Sequence, residues 1–381
     1  MAADAAVQGI RQHDPSGTIT LISSETNPPY NRPPLSKGLW KGEPEESIWR
    51  SAVQSGVSLC LGRRATQLNP QEKTVTDDQG VLYHFEKLLI ATGGSVNRLP
   101  FPAEEVIYFR TYEDYKRLRL LADQHRSFAV LGGGFIGWEI AAALSMVGRN
   151  VTLLFPGPGI GSRLFPRSLS EFLNGFYREK GIEVLSGDTA TGVERRDGGF
   201  LLKTRQGRSL QSDAIVAGLG IRPSVELLQA AGFKTTNGVP VNEYLQTDHP
   251  DIYAAGDVAE FFNPALQKRI RVEHEDAANS MGQTAGANMA GAHVPYHHLP
   301  FFYSDLFDLG FEAVGELDSG MEIFEDWKEP LREGVVYYLD RGRVRGVLLW
   351  NTWGQVDHAR RLIAEAGPLK PSDLKGRLPV A

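Results

Sequence analysis

The chain is poor in cysteine, with Cys60 alone among 381 residues. A single thiol excludes an internal disulfide, a Cys-x-x-Cys redox pair and an iron–sulfur cluster held by cysteines. Such sparse use of cysteine is typical of the reduced cytosol, so a cytoplasmic location is expected. Cys60 lies in GVSLCLG, which has the pattern of a strand, and is expected to be a buried core residue.

The sequence also lacks excess positive charge and a targeting segment. Its 40 Lys and Arg residues against 46 Asp and Glu residues give a net charge of −6, which argues against nucleic-acid binding. No basic segment followed by an apolar run begins the chain, so no signal peptide is expected. The stretch FAVLGGGFIGWEIAAALSMVG has about the length of a membrane span. Its glycines and Glu139 suit a strand, a turn and a helix instead.

Strand patterns alternate with helix patterns along most of the chain and predict an α/β fold of two or three domains. The loop NPPYNRPPLSKGLW is expected to be rigid and extended, because bulky side chains are interleaved with its prolines. Two helices are predicted, from 136 to 147 and over RSLSEFLNGFYREKG. The predicted strands and hairpin-like pairs are TITLIS, GVSLCLG, HFEKLLIATG, SFAVLGGG, NVTLLF, GIEVLSG, GGFLLKTRQGRSLQSDAIVAGLG and GVVYYLDRGRVRGVLLW.

Three glycines have the spacing of a dinucleotide-binding turn. Gly132, Gly134 and Gly137 form Gly-x-Gly-x-x-Gly directly after a predicted strand and directly before a predicted helix. The first glycine permits a tight turn, the second lets the backbone approach a pyrophosphate, and the third lets helix and strand pack closely. The start of the helix then offers free N–H groups to the phosphates. A glycine-rich turn without a ligand is the alternative.

The next predicted strand does not specify the coenzyme. An acid near its end would bind the ribose 2′-hydroxyl of NAD. Here Phe155, Pro156 and Gly157 occupy those positions, and no basic residue follows until Arg163. The missing acid weakens the case for NAD, and a distant arginine is thin support for NADP.

Further pieces that could hold a second nucleotide are spread along the chain. Glu25 ends the first predicted strand, and Arg32 and Lys37 lie on the proline-rich loop. The remaining pieces are two glycine turns after predicted strands, Ala91–Thr92–Gly93 and Gly256–Asp257, the second expected to lead towards a helix. Each piece is ordinary by itself. Asp257 taken singly is expected to be a helix cap or a turn residue.

In combination and in order, these pieces resemble the two-dinucleotide flavoprotein reductases of the pyridine nucleotide-disulfide oxidoreductase family. The similarity is greatest to the apoptosis-inducing factor branch and its bacterial relatives, with ferredoxin and putidaredoxin reductases next. It runs from Met1 to about Trp353. The segments that carry it are YNRPPLSKGLW, VLGGGFIGWEIAAAL, IYAAGDVAEF, RVEHEDAANSMGQTAGANM and FFYSDLFDLGFEAVGE.

The resemblance implies two Rossmann-like domains, binding FAD and NAD(P)H, and a C-terminal α+β domain. The FAD domain would comprise residues 1–111 and 239–300. The NAD(P)H domain would lie between them at 112–238. A β-rich domain would occupy 301–381.

The resemblance also implies roles for individual side chains. Arg32 would lie on the FAD pyrophosphate or ring edge, and Lys37 close to the flavin N5, paired with Glu139. A solvent-facing first-turn residue is the alternative for Glu139. Phe135 would cover the flavin face until nicotinamide arrives, or would be a core residue. Asp257 would bind the ribityl or phosphate region of FAD.

The segment VEHEDA would place Glu273 and His274 at the flavin. Relatives closer to the animal proteins have a second histidine where this chain has Glu275, and a tryptophan where it has Tyr303. Stacking by Tyr303 is still expected. The adjacent His297 and His298 could form a metal clip but are expected to be solvated, and no metal is expected.

The implied activity is that of an FAD-dependent NAD(P)H oxidoreductase. Electrons would pass from the nicotinamide dinucleotide through the flavin to a ferredoxin, a quinone or oxygen. A non-catalytic pyridine-nucleotide scaffold or sensor without flavin is the alternative from another class. An NADH oxidase with a redox cysteine is the second rival. Nucleic-acid partners and a membrane span are not expected, and a homodimer is left open.

The first residues, MAADAAVQGIR, form a predicted helix that relatives precede with a strand and a glycine turn. Met1 falls just after those glycines, as in a chain with a start site placed too late or a shortened N-terminus. The absent strand would occupy the centre of the FAD sheet. Its glycines would hold the FAD pyrophosphate, so weaker flavin binding is expected of the chain as written.

Overall fold

The structure is a computed structural model that describes residues 1–51, 55–196 and 198–378. It divides into two compact units. Unit 1 comprises Met1–Arg32, Glu45–Ser95 and Arg222–Pro300, and unit 2 comprises Pro33–Pro44, Val96–Ile221 and Phe301–Ala381. The predicted NAD(P)H and C-terminal domains thus fall largely within unit 2, and the predicted division into three domains stays a prediction.

Helices and strands alternate as the sequence patterns indicate. The helices are α1 (Ala2–His13), α2 (Tyr112–Gln124), α3 (Phe135–Met146), α4 (Arg167–Glu179), α5 (Glu226–Ala230), α6 (Glu275–Met289), α7 (Val356–Ala364) and α8 (Pro371–Leu374). Short 3₁₀ helices cover Pro33–Ser36, Gly38–Lys41 and Glu45–Ile48. Across the described ranges, no helix combines the length and the apolar composition that crossing a membrane would require.

The strands of unit 1 form four small sheets. β1 pairs with β2 and β6 with β18, both in parallel, whereas β3–β4–β5 form antiparallel ladders. In the fourth sheet β19 pairs in parallel with β17 and antiparallel with β20. Their bounds are β1 (Thr20–Ser23), β2 (Ser58–Leu61), β3 (Ala65–Asn69), β4 (Thr74–Asp77), β5 (Leu82–His84), β6 (Leu88–Ile90), β17 (Val239–Pro240), β18 (Ile252–Ala254), β19 (Ala259–Asn263) and β20 (Lys268–Ile270). Two further strands, β7 (Gly94–Val96) and β16 (Ile221–Pro223), contain two of the positions where the chain passes between the units.

Helices α1 and α6 pack against each other at very short range in unit 1. A Cβ atom on Gly9 would lie 2.1 Å from the carbonyl oxygen of Gln283, and one on Gly286 would lie 2.1 Å from that of Ala6. The small residues of AADAAVQG and of MGQTAGAN therefore allow contact between the two backbones. This contact fixes the start of α1 inside unit 1.

A five-stranded parallel sheet forms the centre of unit 2, in the order β11–β10–β9–β15–β8. The connection from β9 to α3 is the glycine turn. A hairpin-linked sheet, β12–β13–β14, adjoins it. The bounds are β8 (Ile107–Tyr108), β9 (Ser127–Leu131), β10 (Asn150–Phe155), β11 (Ile182–Ser186), β12 (Ala190–Arg196), β13 (Gly199–Thr204), β14 (Ser209–Ser212) and β15 (Ala214–Ala217).

The C-terminal part of unit 2 is an antiparallel sheet in the order β21–β22–β25–β24–β23. Its bounds are β21 (Phe301–Leu306), β22 (Leu309–Gly315), β23 (Glu322–Glu329), β24 (Glu333–Asp340) and β25 (Arg343–Trp350). The predicted strand pair GVVYYLDRGRVRGVLLW is confirmed as β24 and β25. Strand β21 also contacts α3, and this contact brings the segment FFYSDL beside the helix that follows the glycine turn.

Three local predictions are wrong. The proline-rich loop folds into 3₁₀ turns instead of an extended segment, because the fixed φ of proline is also that of a 3₁₀ helix. The turn at Asp257 leads into strand β19 rather than a helix, since its residues alternate in burial and pair with β20. Cys60 is half-buried rather than fully buried, on a strand that pairs with β1 in the described part of the chain.

Candidate functional site

The glycine turn of unit 2 has the backbone shape that a dinucleotide requires. Gly132 has a φ of +121°, and a Cβ there would lie 2.3 Å from the carbonyl oxygen of Gly218. A Cβ on Gly137 would lie 1.8 Å from the carbonyl oxygen of Gly132. Gly134 differs, since a Cβ there would meet no atom within 4 Å. The first and third glycines are therefore packed, and the second faces open space.

Helix α3 starts at this open space. Its N-cap is Gly134, which provides no side chain to cap the first turn. The exposed N–H groups and the positive end of the helix dipole are therefore available for an anion. The turn fits a pyrophosphate.

The loop after β10 is held against the glycine turn. The N–H of Gly161 donates to the carbonyl oxygen of Gly133 over 3.2 Å. In α4, the Asn174 side-chain oxygen accepts from the Ile160 N–H, and the Ser170 hydroxyl donates to the Ile160 carbonyl oxygen. Phe155 lies buried under Gly133, so the strand ends in an aromatic ring where an NAD-binding acid would stand.

Lys37 and Glu139 form a buried ion pair in unit 2. The distance from Lys37 Nζ to Glu139 Oε1 is 2.7 Å, and the side chains are 13% and 3% exposed. The predicted pairing is confirmed, and the alternative of a solvent-facing Glu139 is wrong. Helix α3 is apolar and buried on all sides from Gly137 to Leu144, so the Glu139 carboxylate is enclosed by protein.

Three residues that sequence reasoning missed bind Glu139 or support its partners. Ser36 donates to Oε2 over 2.5 Å, and Ser304 donates to Oε1 over 2.6 Å. Trp138 donates its indole N–H to the Ser304 hydroxyl over 2.9 Å. Ser36 and Ser304 stand next to Lys37 and Tyr303 in the quoted motifs, and this adjacency was the available signal.

Aromatic side chains lie beside the ion pair. Lys37 Nζ is 5.3 Å from the ring centroid of Tyr303, a cation–π distance. Phe135 is half-buried, and its ring centroid lies 4.8 Å from that of Trp138 and 5.5 Å from that of Phe302. Phe135 therefore has the packing of a core residue at the start of α3, and its predicted role at the flavin stays a prediction.

In unit 1, Glu25 and Arg32 face each other at the end of β1. Arg32 Nη2 lies 2.5 Å from Glu25 Oε1, and the Tyr30 hydroxyl lies 2.5 Å from Glu25 Oε2. Both charged side chains keep part of their surface exposed. A carboxylate and a guanidinium so placed are suited to ribose hydroxyls and a phosphate.

Two glycine turns of unit 1 also contain residues that are predicted to bind FAD. Gly256 has a φ of +77°, and a Cβ there would lie 3.1 Å from the Cβ of Ala2, so the Gly256–Asp257 turn lies against the start of α1. The Ala91–Thr92–Gly93 turn follows β6, and the Thr92 hydroxyl donates to the Ser224 carbonyl over 2.7 Å. Asp257 is a turn residue, as expected from the residue alone.

The start of α6 is rich in titratable side chains. His274 is its N-cap residue and is half-buried; burial lowers its pKa to about 4, against the carboxylates of Asp257 and Asp276, which favour the proton. Glu273 pairs with Arg271 at 2.9 Å.

The two adjacent histidines differ from each other. His297 is exposed, as predicted, but His298 is half-buried and its Nε2 lies 2.6 Å from Asp276 Oδ2. The expectation that His298 is solvated is therefore wrong, because its loop folds onto α6. Within the described part of the chain, no three His, Cys, Asp or Glu side chains are grouped as metal ligands would be.

Residues 1–291 match the model of the family described as pyridine nucleotide-disulphide oxidoreductase. The chain belongs to this family. Residues 285–329 match the C-terminal domain of mitochondrion-associated apoptosis-inducing factor. The chain is therefore an FAD-dependent NAD(P)H oxidoreductase, and the alternative of a flavin-free scaffold or sensor has no support.

Two curated relatives show how far the similarity of this oxidoreductase extends. It is 32% identical to apoptosis-inducing factor 1, mitochondrial, of Dictyostelium discoideum, over 95% of the chain and 76% of the relative. It is 30% identical to the ferredoxin–NAD(+) reductase component of the anthranilate 1,2-dioxygenase system of Burkholderia cepacia, over 98% and 94%.

A solved structure agrees with this assignment. The crystal structure of the covalent putidaredoxin reductase–putidaredoxin complex contains a chain 29% identical, with a TM-score of 0.90. The match covers 97% of this oxidoreductase and 92% of that chain. The predicted fold of two dinucleotide-binding domains with a C-terminal sheet domain is confirmed.

The residue types that this oxidoreductase offers in unit 1 suit the groups of FAD. Gly256 leaves room at the start of α1 that a Cβ would fill, and Arg32 would provide a cation for a phosphate. Glu25 would provide acceptors for ribose hydroxyls. Each group is in unit 1.

Proposed function

We propose that this oxidoreductase takes a hydride from NADH or NADPH and delivers electrons to a ferredoxin-type protein. The Burkholderia cepacia relative is named as a ferredoxin reductase component, and the putidaredoxin reductase structure contains its protein acceptor. Bound FAD supplies the chemistry that accepts a hydride and releases electrons. The protein supplies binding, orientation and charge.

The observation that carries this proposal is the buried Lys37–Glu139 ion pair at the first turns of α3. A buried cation is costly unless a carboxylate neutralises it. A fixed charge pair beside a pyrophosphate-binding turn can orient a nicotinamide ring against a flavin ring. We assign Lys37 to the flavin N5 region, Glu139 to holding Lys37, and Phe135 to covering the flavin face.

The remaining assignments concern the two dinucleotides. Gly132, Gly134 and Gly137 would bind the NAD(P)H pyrophosphate, and Arg32 the FAD pyrophosphate or ring edge. Tyr303, close to Lys37, would stack at the flavin. The other residues that we assign to FAD are Glu25, Lys37, Ala91, Thr92, Gly93, Gly256, Asp257, Glu273 and His274.

The domain division of the sequence analysis belongs to this proposal. Residues 1–111 and 239–300 would bind FAD, 112–238 would bind NAD(P)H, and 301–381 would form the C-terminal domain, whose last three residues lie outside the described ones. We also propose a cytoplasmic location, which the scarcity of cysteine favours. The Dictyostelium relative is named as mitochondrial.

Rapid anaerobic mixing tests the hydride step. A preparation carrying FAD is mixed with NADH and, separately, with NADPH, while flavin absorbance is followed. Loss of absorbance with one coenzyme supports the proposal and identifies the coenzyme that this site accepts without an acid at position 155. Unchanged absorbance with both coenzymes would refute it.

The acceptor is tested in a second assay. NAD(P)H oxidation is coupled through a [2Fe–2S] ferredoxin to reduction of cytochrome c, with a quinone and oxygen as alternative acceptors. Ferredoxin-dependent reduction well above the rate with oxygen is expected. Faster turnover with quinone or oxygen would overturn the choice of acceptor while leaving the hydride step intact.

A further inference from the structure

The hydroxyl of Ser304 has a single possible hydrogen-bond arrangement. The indole N–H of Trp138 is a donor only, so Ser304 Oγ must accept from it over 2.9 Å. The one proton of the hydroxyl is then left for Glu139 Oε1, 2.6 Å away. Ser304 and Trp138 are fully buried, so water does not compete for these groups.

Ser36 binds the other oxygen of the same carboxylate. Its Oγ lies 2.5 Å from Glu139 Oε2 and 3.5 Å from the carbonyl oxygen of Pro33. Both neighbours are acceptors, and the short contact is the one to Glu139. Each carboxylate oxygen therefore receives a serine hydroxyl, and Oε1 also receives Lys37.

We infer that Ser36 and Ser304 are positioning residues that fix the Glu139 carboxylate and, through it, the Lys37 ammonium. We call these two serines the hydroxyl clamp. The Glu139 side chain is 3% exposed, so its oxygens must find their hydrogen-bond donors within the protein, and the two serines supply them. Two donors on opposite oxygens also prevent the carboxylate from rotating, so Lys37 Nζ has one place to bind.

The consequence of the clamp for hydride transfer rests on the proposed function, in which Lys37 orients the reacting rings. Without the Ser304 hydroxyl, Oε1 retains Lys37 but loses its serine donor, and the Trp138 indole N–H loses its acceptor. Lys37 would then sample more than one position. Loss of positioning lowers the rate at saturating coenzyme more than it weakens coenzyme binding.

The first test uses the full chain and needs no flavin. Melting temperatures are measured for Ser304→Ala, Lys37→Met and the double variant. Coupling through Glu139 makes the effect of Ser304→Ala differ between the wild-type and the Lys37→Met backgrounds. The matched control is Thr352→Val, which removes a buried hydroxyl of the same unit bonded to the Trp350 carbonyl oxygen, and its effect should be equal in both backgrounds. Equal effects of Ser304→Ala in both backgrounds would overturn the inference.

The second test uses the FAD-loaded protein in rapid mixing. Ser304→Ala should slow flavin reduction at saturating coenzyme about tenfold, the size expected from one hydrogen bond to a charged group. Ser36→Ala, on the other oxygen, should act in the same direction, and Thr352→Val, which removes a buried hydroxyl outside the site, should not. Unchanged rates in both clamp variants would overturn the role in positioning. A wild-type protein that no coenzyme reduces would instead refute the proposed function, while the melting experiment still decides whether the clamp exists.

Discussion

Lys37 and Lys41 lie four residues apart on one loop of unit 2, and each binds a carboxylate, but in opposite surroundings. The Lys37–Glu139 pair has side chains 13% and 3% exposed, whereas the Lys41–Asp305 pair has side chains 40% and 37% exposed. The two lysines therefore provide an internal comparison between a buried and a surface ion pair.

Replacing Lys37 should destabilise the fold far more than replacing Lys41. Lys37→Met leaves Glu139 buried without its cation, which costs about 3 kcal/mol by analogy with other broken buried pairs. Lys41→Met removes an exposed pair and should cost less than about 1 kcal/mol. Urea unfolding followed by tryptophan fluorescence measures both. Similar losses in the two variants would show that burial does not set the strength of the Lys37 pair.

In the glycine turn, one substitution should weaken coenzyme binding without destabilising the fold. Gly134→Ala places its methyl group in open space at a φ of −100°, so the melting temperature should change little. The same methyl group lies where a pyrophosphate must approach, so NADH affinity should fall at least about tenfold.

Gly137→Ala is the structural counterpart, because its Cβ would lie 1.8 Å from the Gly132 carbonyl oxygen and should destabilise the protein. Gly175→Ala, in helix α4 with no atom near the new methyl, is the control and should leave NADH affinity unchanged. Calorimetric titration with NADH and melting curves supply the measurements. Native affinity in Gly134→Ala would show that the phosphates lie elsewhere.

His274 should make the apoprotein sensitive to mild acid. The pKa of this side chain is lowered by burial to about 4, whereas an unfolded histidine titrates near 6.5. Between about pH 6.5 and pH 4 the unfolded chain therefore binds a proton at this side chain and the folded chain does not. The free energy of unfolding falls as the pH is lowered through this range. For a half-buried side chain the loss at pH 5 should be about 1–2 kcal/mol.

Urea unfolding at pH 7.5 and pH 5 compares wild type with His274→Gln, which should lose less stability on acidification. His84→Gln, an exposed histidine of the same unit, serves as control and should behave as wild type. Equal acid sensitivity of wild type and His274→Gln would assign the effect to another group.

Cys60 should be dispensable for turnover. The thiol is free and half-buried on β2, where it pairs in register with Ile22 of β1. Cys60→Ser should retain NAD(P)H oxidation with every acceptor within about twofold of wild type, since none of the groups assigned to hydride transfer is a thiol. A large loss of oxygen- or peroxide-dependent turnover alone would revive the redox-cysteine oxidase.

The parallel sheet and the glycine turn of unit 2 could be predicted from sequence because their signals are local. Each signal lies within a short stretch of consecutive residues: an apolar run, glycines at fixed spacing, or an amphipathic helix such as α4. The turn at Asp257 was assigned wrongly because AEFFN suits a helix or a strand by composition. Pairing with β20, a tertiary event, decides for the strand.

The surroundings of Glu139 could be predicted only in part. The Lys37 pairing came from resemblance to a family, whereas no periodicity reports which distant segments meet. Ser36 and Ser304 are small polar residues of a kind common on surfaces. Their importance arises from burial by α3 and β21, which the sequence does not encode locally.

The hydrogen-bond partners of the Glu139 carboxylate are synthesised at different times. Its serine partners stand 103 positions earlier and 165 positions later in the chain. Contacts of such long range form slowly, since closing the loops between them costs chain entropy. On the ribosome, Ser36 and Lys37 are made before α3, but Ser304 emerges well after the parallel sheet is complete. The part of unit 2 that is synthesised first therefore holds Glu139 without its Ser304 donor until β21 is made.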